Sequence, residues 1–105
     1  MGRMSKEKGK RGERECAALL REHGFTARRG QQFSGGDGSP DVVHSIDGVH
    51  IEVKYVERFN LYDALEQATI DADYQIPVVF HRRKRKPWTV VLKADDFLHL
   101  LKGAK

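Results

Sequence analysis

Residues 41–56, DVVHSI-DG-VHIEVKYV, constrain this chain more than any other stretch. Two runs of alternating β-branched residues flank Asp47-Gly48, and Asp-Gly between such runs signals a two-residue hairpin turn. That turn fixes a register: Ile46 opposite Val49, Ser45 opposite His50, Val43 opposite Glu52, and Asp41 opposite Lys54. Opposed residues share a side of the sheet and sides alternate along each strand. Asp41, Glu52 and Lys54 therefore project from one face, and Val42, Ile46, Ile51 and Val53 from the other. Glu52 and Lys54 taken alone would be an ordinary solvated strand face; it is Asp41 that makes them a constellation.

The flanking sequence supplies the rest of an α/β domain. SKEKGKRGERECAALLREHG, residues 5–24, reads as a helix with glycine-interrupted first turns and Gly24 as its C-cap. Cys16, Ala17 and Leu20 form its apolar stripe, and Glu13 falls on that stripe one turn earlier. An acid facing a core is costly without a partner or a task. FTARRGQQF is expected as a strand and SGGDGSP as a glycine-rich turn. Asn60 caps a second helix, Leu61 to about Asp73, with Leu61, Leu65 and Ala68 inward. IPVVFH and WTVVLK are strands joined by the basic turn RRKRKP, with Trp88 as a core residue. ADDFLHLL is a last helix that packs Phe97, Leu98 and Leu101. The expected order is α-β-β-β-α-β-β-α, a mixed sheet flanked by helices. At 105 residues one domain is expected, with residues 1–7 expected to be flexible.

Two nearby carboxylates repel unless a cation lies between them, and hard oxygen ligands suit Mg²⁺, with Mn²⁺ as a substitute. A bound divalent ion activates water and polarises a phosphoryl oxygen, while Lys54 could position that water or neutralise charge on the phosphate. These are the parts of metal-assisted phosphodiester hydrolysis.

The same residues carry a family resemblance. SPD at Ser39 to Asp41 and EVK at Glu52 to Lys54 resemble the PD-(D/E)XK nuclease motif, which implies a restriction-endonuclease-like fold. KGKRGERE followed by GFTARRG is similar to the start of archaeal-type and small phage-encoded Holliday junction resolvases. The resemblance implies Glu13 as the helix acid, acting on the metal directly or through water, and Arg14 as a DNA-contacting arginine. It implies that Arg29 matches a first-strand arginine. It also makes Asp41 and Glu52 metal ligands, Lys54 the catalytic lysine and Gln67 a site glutamine. The implied protein is a Mg²⁺-dependent homodimer that nicks four-way DNA junctions.

A net charge of +4 matters only where it is clustered. Lys8, Lys10, Arg11, Arg14, Arg28 and Arg29 form one basic group, and Arg82, Arg83, Lys84 and Arg85 a second. Phosphate contacts from such side chains supply most DNA-binding free energy. Two rivals share these features: a nuclease of the same superfamily acting on flaps or ends, and a non-catalytic nucleic-acid-binding domain. The single cysteine, Cys16, excludes an internal disulfide and a cysteine-built zinc site, and it reads as a small buried hydrophobe. The five histidines lack metal-ligand spacing, and His44 and His50 read as strand residues. No apolar run is long enough for a membrane span. The expected location is the cytoplasm, that of a bacterial host if the chain is phage-encoded.

Overall fold

The structure, a computed structural model, describes residues 2–30 and 41–103, with side chains from Glu7 onward. The expected element order is found: α1 (Gly2–Glu22), β1 (Ala27–Arg29), β2 (Val42–His44), β3 (Val49–Tyr55), α2 (Leu61–Ala72), β4 (Ile76–Arg82), β5 (Thr89–Val91) and α3 (Ala94–Gly103). The end of the FTARRGQQF run, the SGGDGSP turn and the Ser39-Pro40 part of the motif lie outside the described residues.

The hairpin is corrected. β2 pairs antiparallel with β1, in the register Ala27↔His44 and Arg29↔Val42, and not with β3. β3 pairs in parallel with β4 (Ile51↔Val78, Lys54↔His81), and β4 pairs antiparallel with β5. Asp47-Gly48 is a turn, with Gly48 in the left-handed region at φ 75°, but it does not close a ladder. The Ser45 amide donates to the Thr26 carbonyl at 3.1 Å, holding the end of β2 on β1. The Gly48 carbonyl accepts from the Ile76 amide at 2.8 Å, leading β3 onto β4. The two strands are thus drawn to partners distant in sequence, which a local turn signal cannot report.

Faces follow the alternation even though the pairing does not. Val49, Ile51 and Val53 join Val42 and the α1 residues Cys16, Ala17 and Leu20 in the main core. Ile51, Val42, Val79 and Cys16 are the largest fully buried side chains, and side chains of the Ile51 or Val42 size contribute about 1.5–3 kcal/mol each on burial. The opposite face of the sheet is covered by α2. Asn60 is its N-cap, accepting from the Asp63 amide at 3.1 Å. The inward stripe of α2 differs from expectation: Ala64, Ala68 and Ala72 are buried, Leu65 only packs at the edge, and Leu61 is exposed. Ala64 and Ala68, small and four residues apart, let the helix backbone approach Val79 closely.

α3 also departs from expectation. Phe97, Leu98 and Leu101 are each about half exposed, and the helix has no buried residue. Leu100 is the α3 residue that packs against the core. No helix among the described residues is long and apolar enough to cross a membrane.

Gly12 decides how closely α1 approaches β3. A Cβ there would lie 2.8 Å from the Tyr55 Cβ, a contact that requires movement of the helix or the strand. Gly12→Ala is therefore expected to destabilise the fold by about 1–3 kcal/mol. Chemical denaturation reads this directly. A neutral or stabilising effect would show that the close approach is not needed.

Candidate active site

The last turn before the core stripe of α1 presents Glu13, whose side chain is 16% exposed and paired with the Arg29 Nε at 2.9 Å. Burial raises the Glu13 carboxyl above its ordinary value, the Arg29 hydrogen bond lowers it, and the Glu52 charge raises it again. The costly acid on a core-facing stripe thus has a partner, and that partner is an arginine of the first basic group.

Asp41 precedes β2, and its Oδ2 accepts from the Val53 amide of β3 at 2.8 Å. The carboxylate meets the β3 backbone beside Glu52, where the hairpin register would have set it opposite Lys54. Its pKa is pushed up to about 7, first by burial and then by the Glu52 charge. The Val53 hydrogen bond and the Lys54 charge pull it back, and Glu13 pushes it further up. Glu52, Glu13 and Lys54 are therefore all brought within electrostatic reach of Asp41. Cys16, one turn along α1 from Glu13, has its thiol pushed up to about 12 by burial and by Asp41. It stays a protonated core residue.

Glu52 is buried, on the β3 face that looks toward α2. His50, two residues earlier on the same face, brings its Nε2 to 3.7 Å from the Glu52 Oε2. The neighbouring Glu52 carboxylate raises the His50 pKa more than burial lowers it. Lys54 and Gln67 line one cavity of about 350 Å³ together with Phe59, Asn60 and Asp63. The Gln67 amide donates to the Asp71 Oδ1 at 3.1 Å. His50, Glu52 and Asp71 offer ligand atoms within 4.8 Å of one another. Sequence spacing concealed this group, although alternation alone puts His50 on the Glu52 face.

The basic residues divide. Lys8, Arg11, Arg14 and Lys84 line a groove of about 750 Å³ with Tyr55 at its wall, so part of each basic group meets on one surface. Lys8, Arg11 and Arg82 stand 5.5–6.0 Å from the Tyr55 ring centroid, and Trp88 meets that ring edge-on at 6.2 Å. Acids temper the groove: Arg11 pairs with Glu15 at 2.8 Å and Lys8 approaches Glu57 at 3.9 Å. Arg82 is committed elsewhere, bonding Glu15 at 2.7 Å and the Lys86 carbonyl at 2.8 Å. Arg28 lines a separate shallow cavity with Val43 and His44. Lys10 is exposed near Glu7, and Arg83 and Arg85 are exposed at the hairpin tip.

The sequence model of the archaeal Holliday junction resolvases (Hjc) matches residues 4–97. The chain belongs to that family. A solved relative of the same type is Archaeoglobus fulgidus Hjc, a Holliday junction resolvase from an archaeal hyperthermophile. It is 26% identical, with a TM-score of 0.58 over 78% of this chain and 73% of that one. No curated protein matches in sequence. Hjc members are Holliday junction resolvase endonucleases, and their restriction-endonuclease-like fold is the one described above.

Proposed function

We propose that this chain is a single nuclease domain that resolves four-way DNA junctions by Mg²⁺-dependent phosphodiester hydrolysis. The observation that carries the reading is the half-buried Asp41 carboxyl, which accepts from the Val53 amide at 2.8 Å beside Glu52 and is pushed up to about 7 by burial, then by the Glu52 and Glu13 charges. Such a cluster of buried and half-buried acids suits a divalent cation, and the all-oxygen donor set of Asp41, Glu52 and Glu13 suits Mg²⁺. When bound, the ion supplies an activated water and polarises the scissile phosphate. Asp41 and Glu52 would hold it, with the Val53 amide fixing the Asp41 carboxylate. Glu13, oriented by Arg29, would support it directly or through water. Lys54, on the Glu52 face of β3, orients the water or neutralises charge developing on the phosphate. Gln67 acts one step back, through Asp71.

The groove carrying Lys8, Arg11, Arg14 and Lys84 would take the phosphate backbone of a junction arm, with Lys10, Arg83 and Arg85 extending it. Replacing Lys8, Arg11 and Arg14 together by alanine should weaken junction binding by at least about tenfold and flatten its salt dependence. A salt titration of binding checks this, and an unchanged slope would move the DNA elsewhere. Paired nicks need two active sites, and the half-exposed Phe97, Leu98 and Leu101 of α3 offer the apolar surface of a homodimer. Sedimentation should show a dimer that Leu98→Glu with Leu101→Glu converts to a monomer.

The substrate assignment is tested with matched labelled DNAs. Four-way junctions should be cut far faster than flaps or linear duplex. Equal cutting of all three would leave a nuclease but remove the resolvase.

A further inference from the structure

Beyond the acids of the nuclease motif, the buried face of β3 holds a polar atom that the proposed mechanism does not use. His50 is 4% exposed, and among the described residues its Nε2 has no hydrogen-bond partner. Leaving such an atom buried without a hydrogen bond costs roughly 1–3 kcal/mol. It points at acids: the Glu52 Oε2 is 3.7 Å away, beyond hydrogen-bonding distance, and a ligand oxygen of Asp71 completes a group spanning no more than 4.8 Å. Ligands about 2.0–2.2 Å from a shared ion lie up to about 4.4 Å apart, so small side-chain adjustments would close this group around one. Gln67 adds a supporting contact, since its amide donates to the Asp71 Oδ1 at 3.1 Å and fixes that carboxylate in the manner of an outer-shell partner.

We propose that His50, Glu52 and Asp71 form a second divalent-cation site, for a transition ion of the Mn²⁺ or Zn²⁺ class, sharing Glu52 with the nuclease site. An imidazole nitrogen with two carboxylates favours transition ions, whereas the all-oxygen set on the Asp41 side favours Mg²⁺. The two positions are coupled because one carboxylate serves both. β3 supplies His50 and Glu52 from a single face, and α2 brings Asp71 over them because its alanine stripe lets it lie close to the sheet.

Pulsed electron paramagnetic resonance of bound Mn²⁺ reads the proposal without reference to DNA cutting. The native protein should show a nitrogen coupling from a directly bound imidazole, because Asp41, Glu52 and Glu13 contain no nitrogen ligand. The coupling should disappear in His50→Leu and persist in Asp41→Asn. Asp71→Asn, at a half-buried position that tolerates an isostere, should weaken the affinity of the nitrogen-bound ion by at least about tenfold. It serves as the test if His50→Leu fails to fold by circular dichroism. No nitrogen coupling in the native protein overturns the site. So does a coupling that survives His50→Leu, or an affinity that Asp71→Asn leaves unchanged. If junction cleavage fails while the coupling behaves as stated, the resolvase reading falls and this site stands.

Discussion

Glu52→Gln should reduce Mg²⁺-dependent junction cleavage by at least about 1,000-fold, a loss of about 4 kcal/mol in transition-state stabilisation. The substitution keeps shape and removes one charge, so circular dichroism should be unchanged. It acts on two levels. It takes away an oxygen ligand from the centre of the site, and it removes the charge that ranks just behind burial in raising Asp41. The Asp41 carboxyl should therefore titrate lower in the variant, and the metal-free protein should gain stability near neutral pH. Junction binding should persist, because the groove residues Lys8, Arg11, Arg14 and Lys84 are untouched. A variant that still cuts at a tenth of the native rate would remove Glu52 from the chemistry.

The second large effect is on stability against pH. The Asp41 carboxyl moves from an ordinary 3.8 to about 7 on folding. Between those values the folded protein holds a proton that the unfolded chain has released. The free energy of unfolding therefore falls as pH rises through that window and levels off above it. His50 acts in the same direction: its raised pKa gives stability that is present below 6.5 and lost as pH rises through the folded value. Metal-free protein should melt roughly 5–10 °C lower at pH 8 than at pH 5. Asp41→Asn should flatten much of that slope. Mg²⁺ should raise the melting temperature at pH 8 and do little at pH 5, where Asp41 is protonated. Melting curves of the native protein that rise steadily from pH 5 to 8 without metal would contradict the electrostatics of the site.

Much of this was legible because it is local. The stripe of Cys16, Ala17 and Leu20 follows from helical spacing, and Glu13 lies where that spacing places it. Asn60 caps α2 as its side chain predicts. Asp41, Glu52 and Lys54 do come within electrostatic reach, but for a reason other than hairpin register. Asp41 meets the Val53 amide, while β2 is held by β1 and β3 by β4 across the α2 crossover. Those pairings join residues far apart in sequence, which no turn dipeptide encodes. The α2 stripe was misplaced because leucines carry more apparent hydrophobicity than the alanines that allow close approach. Asp71 stayed hidden for a related reason, since its nearness to His50 depends on how tightly α2 lies on the sheet.

A time course on a labelled four-way junction with the native protein, in Mg²⁺ and in chelator, beside a linear duplex of the same sequence, separates an enzyme from a binding domain. Paired nicks should appear in the junction in Mg²⁺, none in chelator, and the duplex should be cut little. Junction binding without any Mg²⁺-dependent nick would contradict it and leave a DNA-binding domain in place of an enzyme.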